Sequence, residues 1–517
     1  STSDGNTVDI SYLNGTIGEG AFTGYGSLKE GQADISLAGY DIPLSMLSSR
    51  VGYDLDGAAT VNAHISGSLD NPKGHVTLTA SKISLGSYGH FDGLNLDGDI
   101  ENHIVTIHEA TIMDQGGFYK AYGTIGWQDK SLDIYAEAKD TRIENLAKNV
   151  TDIPVTGWFY TQNHITGTFD APNVVGRARL KDGSINGFLV SDLYARYSYK
   201  NNRLSVYDAA LESYGSKIFA QGTMDGKNLN FSFTGDGIYL KPLVSDDRFE
   251  VDGYLAAQGT LTGTLDKPVF NGNIRSRQVM INGTSLNDVD GTVYADPTVV
   301  NVESMSFTDQ DKGNYSFAGG VKLKNPKNLF GKITVSNADI KNMISILDKD
   351  ESSNGRFTGR LNGTVGLGGT VNNPALDVKG TISSVALGDQ VLGDSTIDAS
   401  LADKKITIRK LQLPVDSGMI AAGGTMDLNP GGQTAMQVAV NSVDLKYFKA
   451  LLPDSVNPQG TLSSVINLSG DSHNPKAEIS ADLSSSSYNG VALDHVFMLA
   501  NMEDQVLNIQ ALMGQKG

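Results

Sequence analysis

Apolar and polar residues alternate along this chain in blocks that return at a fixed distance. Two and eight places after Gly57, Gly157, Gly253, Gly359 and Gly460 the residue is apolar in every copy. The pairs are Ala59 and Ile65, Phe159 and Ile165, Leu255 and Leu261, Leu361 and Leu367, and Leu462 and Leu468. Even offsets share one face of a strand. Val61, Val365 and Ile466 fall on the same face, while the odd offsets are mostly Asn, Ser, Thr, Gln and Arg. The pattern predicts a strand with one apolar and one wetted face.

A second Gly follows ten residues after the first, and a Pro five residues after that, giving Gly57/Gly67/Pro72, Gly157/Gly167/Pro172, Gly253/Gly263/Pro268, Gly359/Gly369/Pro374 and Gly460/Gly470/Pro475. Leu69, Phe169, Leu265 and Val371, two places after the second Gly, extend the stripe in four copies, and Ser472 breaks it in the fifth. The Asx residues before Pro predict a turn that ends the strand. Beyond it alternation resumes at Val76 and Leu78, Ala178 and Leu180, Phe270 and Ile274, Leu376 and Val378, and Ala477 and Ile479. A further recurrent Gly appears at Gly123, Gly222, Gly320 and Gly424. Helical spacing follows, clearest over Asp339 to Leu347 and Asp444 to Leu452, with Asp339 and Asp444 as N-caps.

Successive prolines lie 100, 96, 106 and 101 residues apart, so the chain is a repeat protein with a period near 100. The repeats divide it at residues 57–156, 157–252, 253–358 and 359–459. Residues 1–56 read as the tail of a preceding copy and 460–517 as a truncated last one, together forming one elongated domain. Each repeat is expected to hold about six strands and one short helix. A meander of roughly 28 strands does not stay flat, because twisted sheets of more than about ten strands curl, split or close. The predicted fold is mainly β: a long curled antiparallel sheet whose groove carries the apolar stripe.

The net charge of -18 and the pI near 4.8 argue against nucleic acid, and against an anionic membrane surface held by a basic patch. The 59 glycines suit strands and turns. With no Cys there is no disulfide, thiolate metal site or Cys nucleophile. Phosphate loops, nucleophile elbows and other compact catalytic motifs do not occur, so the expectation is a protein that is not an enzyme and needs no cofactor or metal. Among the eight His, His103 and His108 are the pair that a hairpin would bring together. The run Asp309-Gln310-Asp311-Lys312-Gly313 superficially matches a calcium loop but lacks the later acidic ligand, and reads as a polar turn.

The phased Gly-[Ser/Thr]-[Leu/Phe/Val]-[Asp/Asn]-x-Pro element followed by an alternating strand resembles the periplasmic repeat of TamB and its AsmA-like relatives, the bridge-like lipid transfer proteins. The resemblance runs from about residue 57 to the end. It implies a U-shaped "β-taco" sheet whose groove conducts phospholipid across the periplasm of a two-membrane bacterium. It also implies an anchor in the inner membrane and a partner barrel of the Omp85 class, such as TamA, in the outer membrane. On that reading the segments for anchoring and partner choice lie outside this sequence.

Groove lining is assigned to Val61, Ile65, Leu69, Val76, Leu78, Phe159, Ile165, Phe169, Leu255, Leu261, Leu265, Phe270, Ile274, Leu361, Val365, Leu367, Leu376, Val378, Leu462, Ile466, Leu468 and Ile479. Acyl chains are the expected occupants, because a continuous apolar path removes the cost of about 0.8 kcal/mol for each methylene exposed to water. Charged residues at Leu261 and Leu361 are expected to block transport without unfolding the array. The rival reading of the residues is an extended scaffold whose stripe is packed by protein, and the resemblance also implies a helper of outer-membrane protein assembly whose groove or edge receives β-strands. A β-solenoid enzyme is a third, disfavoured because solenoid coils repeat every 20 to 30 residues or so.

Overall fold

The structure, a computed structural model, describes residues 2–3, 7–68, 70–149, 151–244, 249–324, 326–347, 357–387, 390–451, 459–488, 491–504 and 506–515. The protein is mainly β, antiparallel, and not closed into a barrel. Among the described residues there are 33 strands, two of them only two residues long. The chain forms two compact units, Ser1–Gly237 with Thr260–Asp266, and Ile238–Gly259 with Lys267–Gly517.

In the first unit the strands Leu55–Ser68, Asn71–Leu85, Gly89–Glu101, Ile104–Asp114, Gly117–Gly126 and Ser131–Arg142 lead into the helix Glu144–Ala147. Each pairs antiparallel with the next. The series begins again at Val155–Thr168 and Ala171–Ile185. In the second unit Phe357–Thr370, Asn373–Leu387, Ser395–Ala402, Lys405–Val415, Gly418–Asp427 and Gln433–Asp444 lead into the 3-10 turn Leu445–Leu451. Six long strands and one helical turn make up a repeat, as the periodicity predicts.

The Gly-to-Pro spacing has a direct geometric cause. Gly67, Gly167 and Gly369 stand opposite Pro72, Pro172 and Pro374 across a tight hairpin. Each of these glycines has a positive φ, 90°, 91° and 74°, which an L side chain resists. Pro lies near the start of the following strand, where the ladder tolerates a missing N–H.

The first Gly of the triplet marks a bulge. Register slips between Asp56 and Ala58, Thr156 and Trp158, and Thr358 and Arg360. On the preceding strand the slip carries a left-handed residue, Asp41, Asp140, Asn337 or Ser442. On the following strand Lys82, Asp182, Ser384 and Ser485 are left-handed as well. One line of irregularities thus crosses three successive strands in a repeat, and bulges bend and twist the strands that carry them. A second bulge faces Gly123, Gly222 and Gly424. In the third copy the matching residue is Gly319, with φ 156°, one position before the Gly320 expected from the sequence.

Burial is uneven along each strand. The fully buried Ile83, Val190, Ala338, Val385, Val415 and Val443 lie beyond the first bulge line, toward the helical segments, whereas Val335, only 2% exposed, lies before it. In the second unit Ile340, Met343, Tyr447 and Phe448 from those segments pack against this core. The sequence predicts their N-caps, and the structure has them: Asp339 accepts the Lys341 N–H at 2.8 Å and Asp444 the Lys446 N–H at 2.9 Å.

Candidate functional site

Strand pairing carries the apolar stripe from strand to strand. Directly opposed residues in an antiparallel pair share a face. In the first unit one row runs Val61, Leu78, Leu96, Ala110, Ala121, Ala136, Asn163, Gly176, Tyr197. A second runs Ala80, Leu94, Ile112, Tyr119, Ala138, Thr161, Ala178. In the second unit Phe317, Ile333, Val365, Val378 and Ala399 form one row, and Val438, Ile466, Ile479 and Ala500 another.

The residues predicted to line a groove differ in burial. Leu78, Leu361 and Val365 are buried, and Leu361 is only 4% exposed, packed in a core cluster with Ala338 and Ile382. Half-buried are Val61, Val76, Phe159, Ile165, Leu255, Leu261, Phe270, Ile274, Leu367, Leu376, Val378, Leu462, Ile466, Leu468 and Ile479. Ile65 is exposed, and so are Phe169 (58%) and Leu265 (54%), which stand on turns just past their strands. Leu69 lies outside the described residues. Burial at Leu361 corrects the expectation for that position: a charge there would be desolvated in the core and would unfold the protein before it obstructed anything.

The face also holds residues that the Gly-anchored pattern misses. Leu94, Leu96, Ala121 and Ala136 lie on strands that carry no Gly-Gly-Pro triplet, where the alternation within Gly89–Glu101, Gly117–Gly126 and Ser131–Arg142 is the available signal. Ala110, Ala121, Ala136 and Ala138, ringed by Leu94, Ile112, Tyr119, Leu146 and Phe159, form an apolar depression of about 290 Å³. The small side chains make the hollow and the larger ones wall it.

The opposite face is polar and ion-paired. His103 and His108 do not meet: His103 packs edge-on against Trp127, with ring centroids 5.8 Å apart. His108 instead bonds Asp99 through Nε2 at 2.7 Å, and His75 bonds the other carboxylate oxygen through Nδ1 at 2.8 Å. Hydrogen bonds from His108 and His75 hold the Asp99 carboxyl below the usual range, and the bond to Asp99 raises the His108 imidazole. Tyr122, Tyr135 and His164 stack across three strands, and Arg409 pairs with both Asp377 and Asp398.

The Asp309 segment is a turn, held from within. Asp309 is 2% exposed, accepts the N–H groups of Asp311 and Gly313, and receives the Tyr315 hydroxyl and the Asn342 amide. Burial beside Asp309 pushes the Tyr315 phenol upward. Among the described residues no group of three His, Cys, Asp or Glu side chains is arranged to hold a metal ion, and no helix is long and apolar enough to cross a membrane.

Compared with protein-family models and with curated proteins, the chain matches none.

Proposed function

We propose that this chain moves phospholipid by letting acyl tails slide along the apolar face of its sheet. One observation supports this above the others. Half-buried apolar side chains recur from strand to strand within each unit, interspersed with buried ones such as Leu78 and Val365, while the fully buried Val385, Val415 and Val443 lie on the helix side of the bulge line. A face that served only as a core would bury both halves. A tail lying on the half-buried half keeps its methylenes out of water at about 0.8 kcal/mol each, and no group has to react.

In the setting implied by the TamB resemblance, the path would join the inner and outer membranes of a diderm envelope, ending at an Omp85-class barrel. Assembly of outer-membrane proteins and a purely structural scaffold are the competing roles. The deciding experiment places a photo-crosslinking residue at Ile165 or Leu376 on the apolar face, and at Gln162 or Asp377 on the polar one, and incubates the protein with phospholipid vesicles. Lipid adducts at Ile165 and Leu376 alone are expected. Adducts at neither, or equally on both faces, would overturn the reading.

A further inference from the structure

On the apolar face of the first unit, hydrogen-bonded polar side chains adjoin the alanine-floored depression. Asn163 occupies the place, six residues after the first Gly of its triplet, where the other copies have Ala63, Gly259, Val365 and Ile466. It stands directly opposite Ala136, which lines the depression. The Tyr197 hydroxyl donates to Asn163 Oδ1 at 2.6 Å, and Asn163 Nδ2 donates to Thr161 Oγ1 at 3.0 Å. Thr161, itself on the wall of the depression, donates its hydroxyl hydrogen bond to the Arg177 carbonyl at 3.0 Å. Gly176 lies between Asn163 and Tyr197 in the row, and a Cβ there would collide with Asn163 Oδ1, so glycine is what lets the two side chains meet.

We infer that this corner seats one amphiphile, with hydrocarbon in the depression beside Ala110, Ala121 and Ala136 and an ester or other carbonyl-bearing head on the Asn163–Tyr197 pair. The inference rests on the lipid reading above and adds a fixed station to the path. Donor bookkeeping supplies the chemistry. An amide nitrogen has two N–H groups and Thr161 takes one, so the second is available to an acceptor such as an ester carbonyl. The Tyr197 oxygen spends its proton on Asn163 and keeps acceptor capacity toward a hydroxyl or ammonium. A pure hydrocarbon satisfies neither group, whereas an acyl ester satisfies the amide and fills the hollow.

The test uses the whole chain and two probes, 1-palmitoyl-lysophosphatidylcholine and a brominated hexadecane, in competition for a benzoylphenylalanine crosslinker that replaces Phe159 on the wall of the depression. Tyr197→Phe and Asn163→Leu are compared with wild type, with melting curves confirming the fold. Each variant is expected to lose about five- to tenfold in affinity for the lysolipid, the worth of one hydrogen bond, and to bind the alkane as wild type does. Equal losses for both probes, or none for the lysolipid, would refute the station while leaving the lipid path intact. Failure of wild type to bind either probe would refute the path as well.

Discussion

Pro172 stands directly across a hairpin from Gly167, whose φ of 91° sets the strand end. A Cβ at Gly167 would press on the Ala171 carbonyl oxygen. Gly167→Val is therefore expected to cost about 2 to 3 kcal/mol through backbone strain and crowding. Chemical denaturation of both proteins checks this, and an unchanged midpoint would show that the turn does not need glycine.

Asp309 receives two backbone N–H groups, the Tyr315 hydroxyl and the Asn342 amide. Asp309→Ala strands several buried donors and is expected to destabilise by about 3 kcal/mol or more, against about 1 kcal/mol for Tyr315→Phe, which removes one bond. Equilibrium unfolding should rank the two variants in that order. The reverse order would mean that the turn is held by its backbone alone.

Asp99 gives the polar face a shallow dependence on pH. The His108 imidazole is raised by Asp99, so its contribution is complete below the ordinary imidazole value of 6.5 and fades as pH rises through the folded value. The Asp99 carboxyl is lowered, so its contribution holds above its ordinary 3.8 and fades as pH falls through the folded value. Melting temperature is expected to be higher between these limits, and Asp99→Asn to flatten the profile. An NMR titration placing His108 at or below its ordinary value would contradict this.

Val443 and Ile165 separate core from path. Val443 has no exposed surface, whereas Ile165 is half-buried. Val443→Asp is expected to unfold its unit, because an unpaired carboxylate would be desolvated there. Ile165→Asp should leave the melting curve within about 1 kcal/mol of wild type and abolish lipid crosslinking from neighbouring Val174, its register partner. Unfolding by Ile165→Asp would assign this half of the face to the core too.

Periodicity of two and the phased Gly and Pro residues determine, by sequence alone, that the chain is a β repeat of six strands and a helical turn. Side-chain direction in a strand follows from local backbone geometry, and glycine at a positive φ is a local demand. The same logic places Asp339 and Asp444 as caps. Which apolar residues are sealed and which stay half-open was decided by tertiary structure. Leu361 and Leu367 alternate identically in sequence, yet Leu361 is in the core and Leu367 is not. Burial depends on where the bulges bend the strands and which turns of helix fold onto them, and no period records that. The pairing of Asn163 with Tyr197, 34 residues apart, is likewise a product of register. Alternation tells each side chain which face to take, and only the assembled sheet tells it which neighbours it meets there.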